Sequence, residues 1–205
     1  MKHDEKRPYH HGNLKEAAVE TALAMVEKEG FDAITLRELS ARIGASRTAI
    51  YRHFENKEAL MQAVMIAGFE RFEAVIRPVF LQPQVDVITR FRQMGEAYLV
   101  FAVRNPELYR LLFGERLRQE REAVCDLADA ERSGGFSSLV GLIAEGQAEG
   151  LFKRDDPMLQ AASVWAMIHG FSSLIIDGHI LISDNMEPLF DAGIAILLHG
   201  LEAAR

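Results

Sequence analysis

Arg47, Thr48, Tyr51 and Arg52 are the residues of this sequence whose types and spacing bear most directly on chemistry. At about 100° per residue they share one arc of a helix, with Ala49, Ile50, His53 and Phe54 on the opposite arc. Such a split lets Ile50 and Phe54 pack inward while two guanidiniums, a threonine and a phenol point out. A guanidinium donates two hydrogen bonds to O6 and N7 of guanine, a threonine offers a hydroxyl or a methyl to a base edge, and a phenol donates to a phosphate. The outer arc therefore suits the major groove of double-stranded DNA. Arg47, Thr48 and Arg52 are the expected base readers, Thr35, Tyr51 and Lys57 the expected phosphate contacts, and Ser46 and His53 belong to the same DNA-binding set. Lys57 follows Asn56, a good N-cap, and so stands at the first position of a helix. The macrodipole disfavours a cation there unless an anion such as a phosphate binds between it and the helix amides. The competing reading is a solvated basic face.

These side chains need two short helices to position them. Thr35 and Glu38 have the spacing of a capping box, Leu36, Leu39 and Ile43 fall on one face, Gly44 stops the helix, and Ser46 caps the next. That is a helix-turn-helix. A second capping box, Asn13 with Glu16, opens a helix whose Ala17, Ala18, Thr21, Ala22, Met25 and Val26 face inward as far as Gly30. It is expected to pack across the pair, with Phe31 and Ile34 closing the base. So small a unit has little core of its own, so a longer helix from about Asn56 to Arg77, ended by Pro78, is expected to support it.

Gly30, Phe31, Thr35, Leu36, Gly44, Ala45, Ser46, Tyr51, His53, Phe54, Lys57 and Leu60 also stand in a known register. In it the chain resembles the TetR-type (tetracycline-repressor-like) transcriptional regulators. Ser40 departs from the alanine often found at its place, and a small residue is all that close helix crossing requires there. The stretch from Tyr9 to Leu14, the string NPELYRLLF at 105–113, and Trp165, His169 and Gly170 in a Trp-x-x-x-His-Gly pattern resemble a subgroup of that family. The resemblance implies an all-α fold of about nine helices. An N-terminal three-helix helix-turn-helix DNA-binding domain would occupy 1–55, and a C-terminal ligand-binding and dimerisation domain 56–205. It also implies a homodimer through a four-helix bundle made by the last two helices of each copy.

The rest of the chain reads as apolar helices with punctuation between them. One spans Val87 to about Arg104. Asn105 then caps another, which carries Pro106 in its first turn and stops at Gly114. Residues 115–135 are charged and contain Gly134 and Gly135; they fit a broken helix or a loop equally. Helices follow from Phe136 to Glu149, from Pro157 to about Asp177, and from near Asn185 to the end. The last two carry more apolar surface than one copy is expected to cover, the alternative being burial within one subunit: Leu159, Ala162, Ala166, Gly170 and Leu174, then Leu189, Ile194, Leu197, Leu198 and Leu201. Gly193, Ala195 and Gly200 would permit a close approach. Met94, Tyr98, Tyr109, Phe113, Trp165 and His169 are the candidates to line a pocket for a small hydrophobic effector among the fifth to eighth helices; the alternative is that these side chains are simply core. Trp165 and His169 lie one turn apart, either as a core tryptophan beside a hydrogen-bonded histidine or as direct ligand contacts.

Composition bounds the remaining classes. The 205 residues are 49% apolar and 26% charged, with a formal net charge of −7. The first sixty hold ten basic and ten acidic residues, so the acidity lies beyond them. Between Arg37 and Lys57 five basic residues face two acidic ones, a local +3 that serves a polyanion even in an acidic protein. A single cysteine, Cys125, precludes an internal disulfide and fits a reducing compartment. The polar N-terminus lacks a signal peptide, and no apolar stretch approaches the ~18 residues of a membrane span, so a cytoplasmic protein with no membrane partner is expected. No nucleophile–base pair, metal-ligand spacing or phosphate-cradling loop is present, and His10 and His11 lack a third ligand, so no enzyme, metal or cofactor is expected. The expected function is a DNA-binding regulator, a repressor released from a palindromic operator by its effector. The alternative is a helix-turn-helix protein without effector control.

Overall fold

Five of the helices begin where the sequence places an oxygen to receive an otherwise unpaired amide. Thr35 Oγ1 accepts from the Glu38 amide at 3.1 Å, Ser46 Oγ from Ala49 at 3.2 Å and Asn56 Oδ1 from Ala59 at 2.8 Å. Asp86 Oδ1 accepts from Thr89 at 2.9 Å and Asp156 Oδ1 from Met158 at 2.8 Å. In the computed structural model, which describes residues 14–114, 134–180 and 186–203, these caps open α2 (Leu36–Ile43), α3 (Arg47–Tyr51), α4 (Lys57–Phe80), α5 (Val87–Arg104) and α8 (Pro157–Ile176). The others among the described residues are α1 (Leu14–Glu29), α6 (Pro106–Phe113), α7 (Gly134–Ala148) and α9 (Glu187–Leu201), with a 3-10 turn at Phe31–Ala33. The architecture is all-α.

The buried side chains form one contiguous cluster. It runs from Ala18, Ala22 and Leu23 of α1 through Leu39, Ile50 and Phe54 to Leu60 and Val64 of α4, and on through α5 and α6 to Ile168 and Ile194. Each fully buried Leu or Ile there contributes about 1.5–3 kcal/mol from removal of apolar area from water. Gly68 lets α6 close on α4, since a Cβ there would meet Leu112 at 2.9 Å and Leu108 at 3.0 Å. Arg71 of α4 clamps α1 through Glu20 and Glu27. Arg42 of α2 pairs with Glu29 at the end of α1, 2.6 Å away.

Several expectations are corrected by these contacts. Pro78 does not end α4, which runs to Phe80; only the last turn follows it, and the carbonyl it leaves without a donor is that of the exposed Ala74. The Thr35 box is half made, because the Glu38 carboxylate turns to Arg42 Nε at 2.9 Å. Asn105 stands at the N-cap position of α6, its carbonyl accepting from the Tyr109 amide at 2.8 Å, but its side chain does not cap that helix; the side-chain amide donates to the Phe101 carbonyl at 2.9 Å and closes α5. Gly134 and Gly135 belong to α7, whose first amide donates to Glu73 Oε1 of α4 at 2.8 Å, an anion well placed at a helix N-terminus. The Asn13 box, the His10–His11 pair, Cys125, residues 115–133 and the start expected near Asn185 lie outside the described residues.

The apolar C-terminal helices divide differently from the sequence pattern. Ile194 and Leu201 are buried within the subunit, Ile194 because Gly95 of α5 leaves room for it. Leu159, Leu174, Leu189 and, most of all, Ile196 at 68% stand exposed. A Cβ at Gly170, Gly193 or Gly200 would meet nothing within 4 Å. Contrary to the length estimate above, α8 is long and apolar enough to cross a membrane, with 20 residues and a mean hydropathy of 1.4. Its Ala161, Val164, Ile168 and Ser172 pack inward against α5 and α7, so it is a two-faced helix lying on the body of the protein.

Candidate nucleic-acid interface and aromatic cluster

The helix-turn-helix geometry follows from two backbone features. Gly44 takes the left-handed conformation, φ 75°, that ends α2, and Ser46 caps α3 two residues later. Ile50 and Phe54 are buried beneath α3, whereas Thr35, Ser46, Arg47, Thr48, Arg52 and Tyr51, the last at 52%, are exposed. The division into two arcs thus holds, except at His53. That residue is exposed instead of facing inward, because α3 stops at Tyr51 and the chain turns before completing another helical repeat. Arg52 is likewise the residue that follows the helix, in right-handed conformation.

The five cations of this region are not equivalent. Arg42 is held between Glu29 and Glu38, whose carboxylates raise its pKa, while its guanidinium hydrogen bond lowers that of Glu29. Lys57, at the first position of α4, sets its ammonium over the Phe31 ring, 4.7 Å from the centroid. Sequence reasoning missed this contact, since nothing in the spacing of 31 and 57 announces it. Among the described residues Arg37, Arg47 and Arg52 make no ion pair. Arg37, two residues after Thr35, thus extends the exposed basic surface beyond the residues singled out by pattern.

The proposed pocket residues also come together. Tyr109 Oη lies 2.6 Å from His169 Nδ1, Tyr98 Oη lies 3.2 Å from both, and Trp165 Nε1 donates to Tyr98 Oη at 3.3 Å. Phe113 stacks obliquely on Tyr109 with centroids 4.9 Å apart, and Phe72 meets Tyr98 edge-on at 5.3 Å. Met94 is buried one turn before Tyr98 on α5. Trp165 is not a core tryptophan: it is 41% exposed, with its indole N–H turned inward and its ring against Phe136. His169 does carry the expected hydrogen bond. Burial pushes both phenols above their ordinary range, Tyr98 further through its neighbour Tyr109, so both remain protonated donors. Among the described residues no group of three His, Cys, Asp or Glu side chains is placed to hold a metal.

A capped helix-turn-helix with a bare basic face, carried on a helical body with a bare apolar face, defines a class: DNA-binding regulators. Residues 18–64 match the model for bacterial regulatory proteins of the tetR family, and residues 91–197 that for the tetracyclin repressor-like C-terminal domain. The chain belongs to the TetR family. It is 32% identical to the nucleoid occlusion factor SlmA of Vibrio cholerae over 115 residues, 56% of this chain and 58% of that protein, so it spans under two thirds of that relative. In fold it is similar to a protein of unknown function from Rhodococcus sp. RHA1, with TM-score 0.78 and 27% identity over 97% of this chain and 100% of that one. It is also similar to AibR in complex with isovaleryl coenzyme A and operator DNA, with TM-score 0.64 and 21% identity over 90% and 97%. At that identity the second likeness shows the fold alone.

Proposed function

We propose that this protein is a homodimeric, intracellular transcriptional repressor, without enzymatic activity, that leaves a palindromic operator when a small hydrophobic effector binds. The observation that carries the reading is the exposure of Arg47, Thr48, Tyr51 and Arg52 on one side of α3, with Ile50 and Phe54 buried on the other. Arg47, Thr48 and Arg52 read base edges; Thr35, Tyr51 and Lys57 contact phosphates; Ser46 and His53 border the groove. The exposed apolar faces of α8 and α9 support pairing with a second copy. Two recognition helices about 34 Å apart then enter successive major grooves. The effector binds at Met94, Tyr98, Tyr109, Phe113, Trp165 and His169 and favours a subunit arrangement whose heads no longer match that spacing. AibR, similar in fold, forms a complex with isovaleryl coenzyme A and operator DNA.

In vitro selection of bound duplexes tests this. It should return an inverted repeat, and Arg47→Ala should relax preference at one base position per half-site at a cost of about 1–3 kcal/mol. Recovery of sequences without symmetry, or an Arg47→Ala variant with unchanged preference, would overturn it.

A further inference from the structure

The aromatic cluster has two features that close packing does not explain. The first is its hydrogen-bond chain. Tyr109 Oη pairs with His169 Nδ1, Tyr98 Oη pairs with Tyr109 Oη, and Tyr98 accepts from the Trp165 indole. Only the first link is short. The other two, 3.2 and 3.3 Å, are long for such donors, and the Tyr98 link exceeds the usual 2.7–2.8 Å between hydroxyls by about half an ångström. The second is Ser172, one turn beyond His169 on α8. It is fully buried, and its hydroxyl, beside the Tyr109 phenol, meets no partner at good hydrogen-bond geometry. Buried polar groups are otherwise almost always paired.

We propose that this cluster binds an uncharged, mostly apolar molecule through one carbonyl oxygen, which accepts from Tyr98 Oη and Trp165 Nε1. Replacing the two long links by this oxygen leaves the short Tyr109–His169 bond as backing. It also leaves the Tyr109 oxygen to Ser172 alone, so the indole, both phenols and the Ser172 hydroxyl each find an acceptor. The charge class follows from the same residues. An indole offers a donor and no acceptor, and both phenols are held protonated, so the site presents protons to an acceptor. Arg110, on the helix that carries Tyr109, is committed to Glu107, Asp177 and the Ile176 carbonyl. A carboxylate buried among the Phe72, Phe113 and Phe136 rings would have no cation from this helix to offset its desolvation. Trp165, the exposed member of the chain of hydrogen bonds, is the side of the cluster nearest to solvent.

The proposal deepens the effector-controlled reading and rests on it, so the test separates binding from DNA release. Calorimetry on the full chain compares methyl ketones from hexanone to dodecanone with the alkanes and carboxylates of matching length. A ketone should bind, with its alkane and carboxylate about tenfold weaker, as the loss of one or two hydrogen bonds requires. Tyr98→Phe should bring the ketone down to the level of the alkane. Trp165→Phe, at an exposed position that does not threaten folding, should do so in part. Binding of no ketone, tighter binding of the carboxylate, or an unchanged ketone-to-alkane ratio in both variants would overturn the assignment. Operator release is scored separately. A ketone that binds through Tyr98 yet leaves DNA bound counts against effector control and for this assignment; release insensitive to both variants does the reverse.

Discussion

Lys57 shows how one side chain can be spoken for twice. Its ammonium rests over Phe31, a contact worth about 0.5–1 kcal/mol at an exposed site, and its place at the start of α4 costs a few tenths. The ring therefore holds it only loosely, and a phosphate can take it. Lys57→Ala should weaken binding to all duplexes alike and lower the salt slope of log K by about one, as the loss of one phosphate contact does. An unchanged slope in a salt titration would mean that the ammonium stays on the ring. The tyrosines allow a cleaner test of the cluster. In a chain carrying Tyr9→Phe and Tyr51→Phe, the two remaining phenols are Tyr98 and Tyr109, both pushed up by burial. Below the ordinary phenol value of about 10 both folded and unfolded states are protonated and pH changes nothing; above it the unfolded state releases protons that the folded state retains, so stability falls as pH rises. Phenolate absorbance should therefore appear only together with loss of the helical circular dichroism signal. Ionisation of either phenol at pH 10 in a folded chain would place it nearer to solvent than its burial allows.

At the scale of elements, α3 matters most and is the least able to stand alone. Five residues are too few for a helix to persist in water, so its geometry is set by Ser46 at one end and by Ile50 and Phe54 beneath it. Ser46→Ala should cost about 1 kcal/mol of stability, read by denaturant unfolding, and should weaken operator binding, because the amide it leaves unpaired lies at the base-reading end. Unchanged stability would show that neighbouring contacts suffice to hold the turn. The elements best read from sequence were those with local signals: the caps at Thr35, Ser46 and Asn56, the left-handed Gly44, and the 3.6-residue periodicity of α1 and α5. The points that sequence misplaced depend on contacts between distant residues. Glu73 reaches forward to Gly134, Gly95 admits Ile194, Phe31 receives Lys57, and Asn105 turns back to the helix it was expected to leave. Periodicity identifies an apolar face, as on α9, but not whether its own subunit or another copy covers it.

In the whole molecule, the faces of α8 and α9 that carry Leu159, Leu174, Leu189 and Ile196 stand exposed among the described residues. Ile196, at 68% exposure, is the place to probe them, because its substitution leaves the monomer core untouched. Ile196→Asp should shift the protein toward monomer in sedimentation velocity without lowering its helical content, and should reduce affinity for a full operator far more than for a half-site. A variant that sediments as the wild type would place the joint between copies elsewhere. α4 ties the reading head to the body, its Gly68 closing on α6 and its Arg71 gripping α1, while α5 and α7, which pack on α4, carry α8. With 24 residues α4 is about 36 Å long. Taken as a rigid rod, it would turn a tilt of about 5° at its Phe80 end into a sideways shift of about 3 Å at the Lys57 end, close to the length of a hydrogen bond. A displacement of that size, too small to disturb the core at the pivot, is enough to take a guanidinium off a guanine.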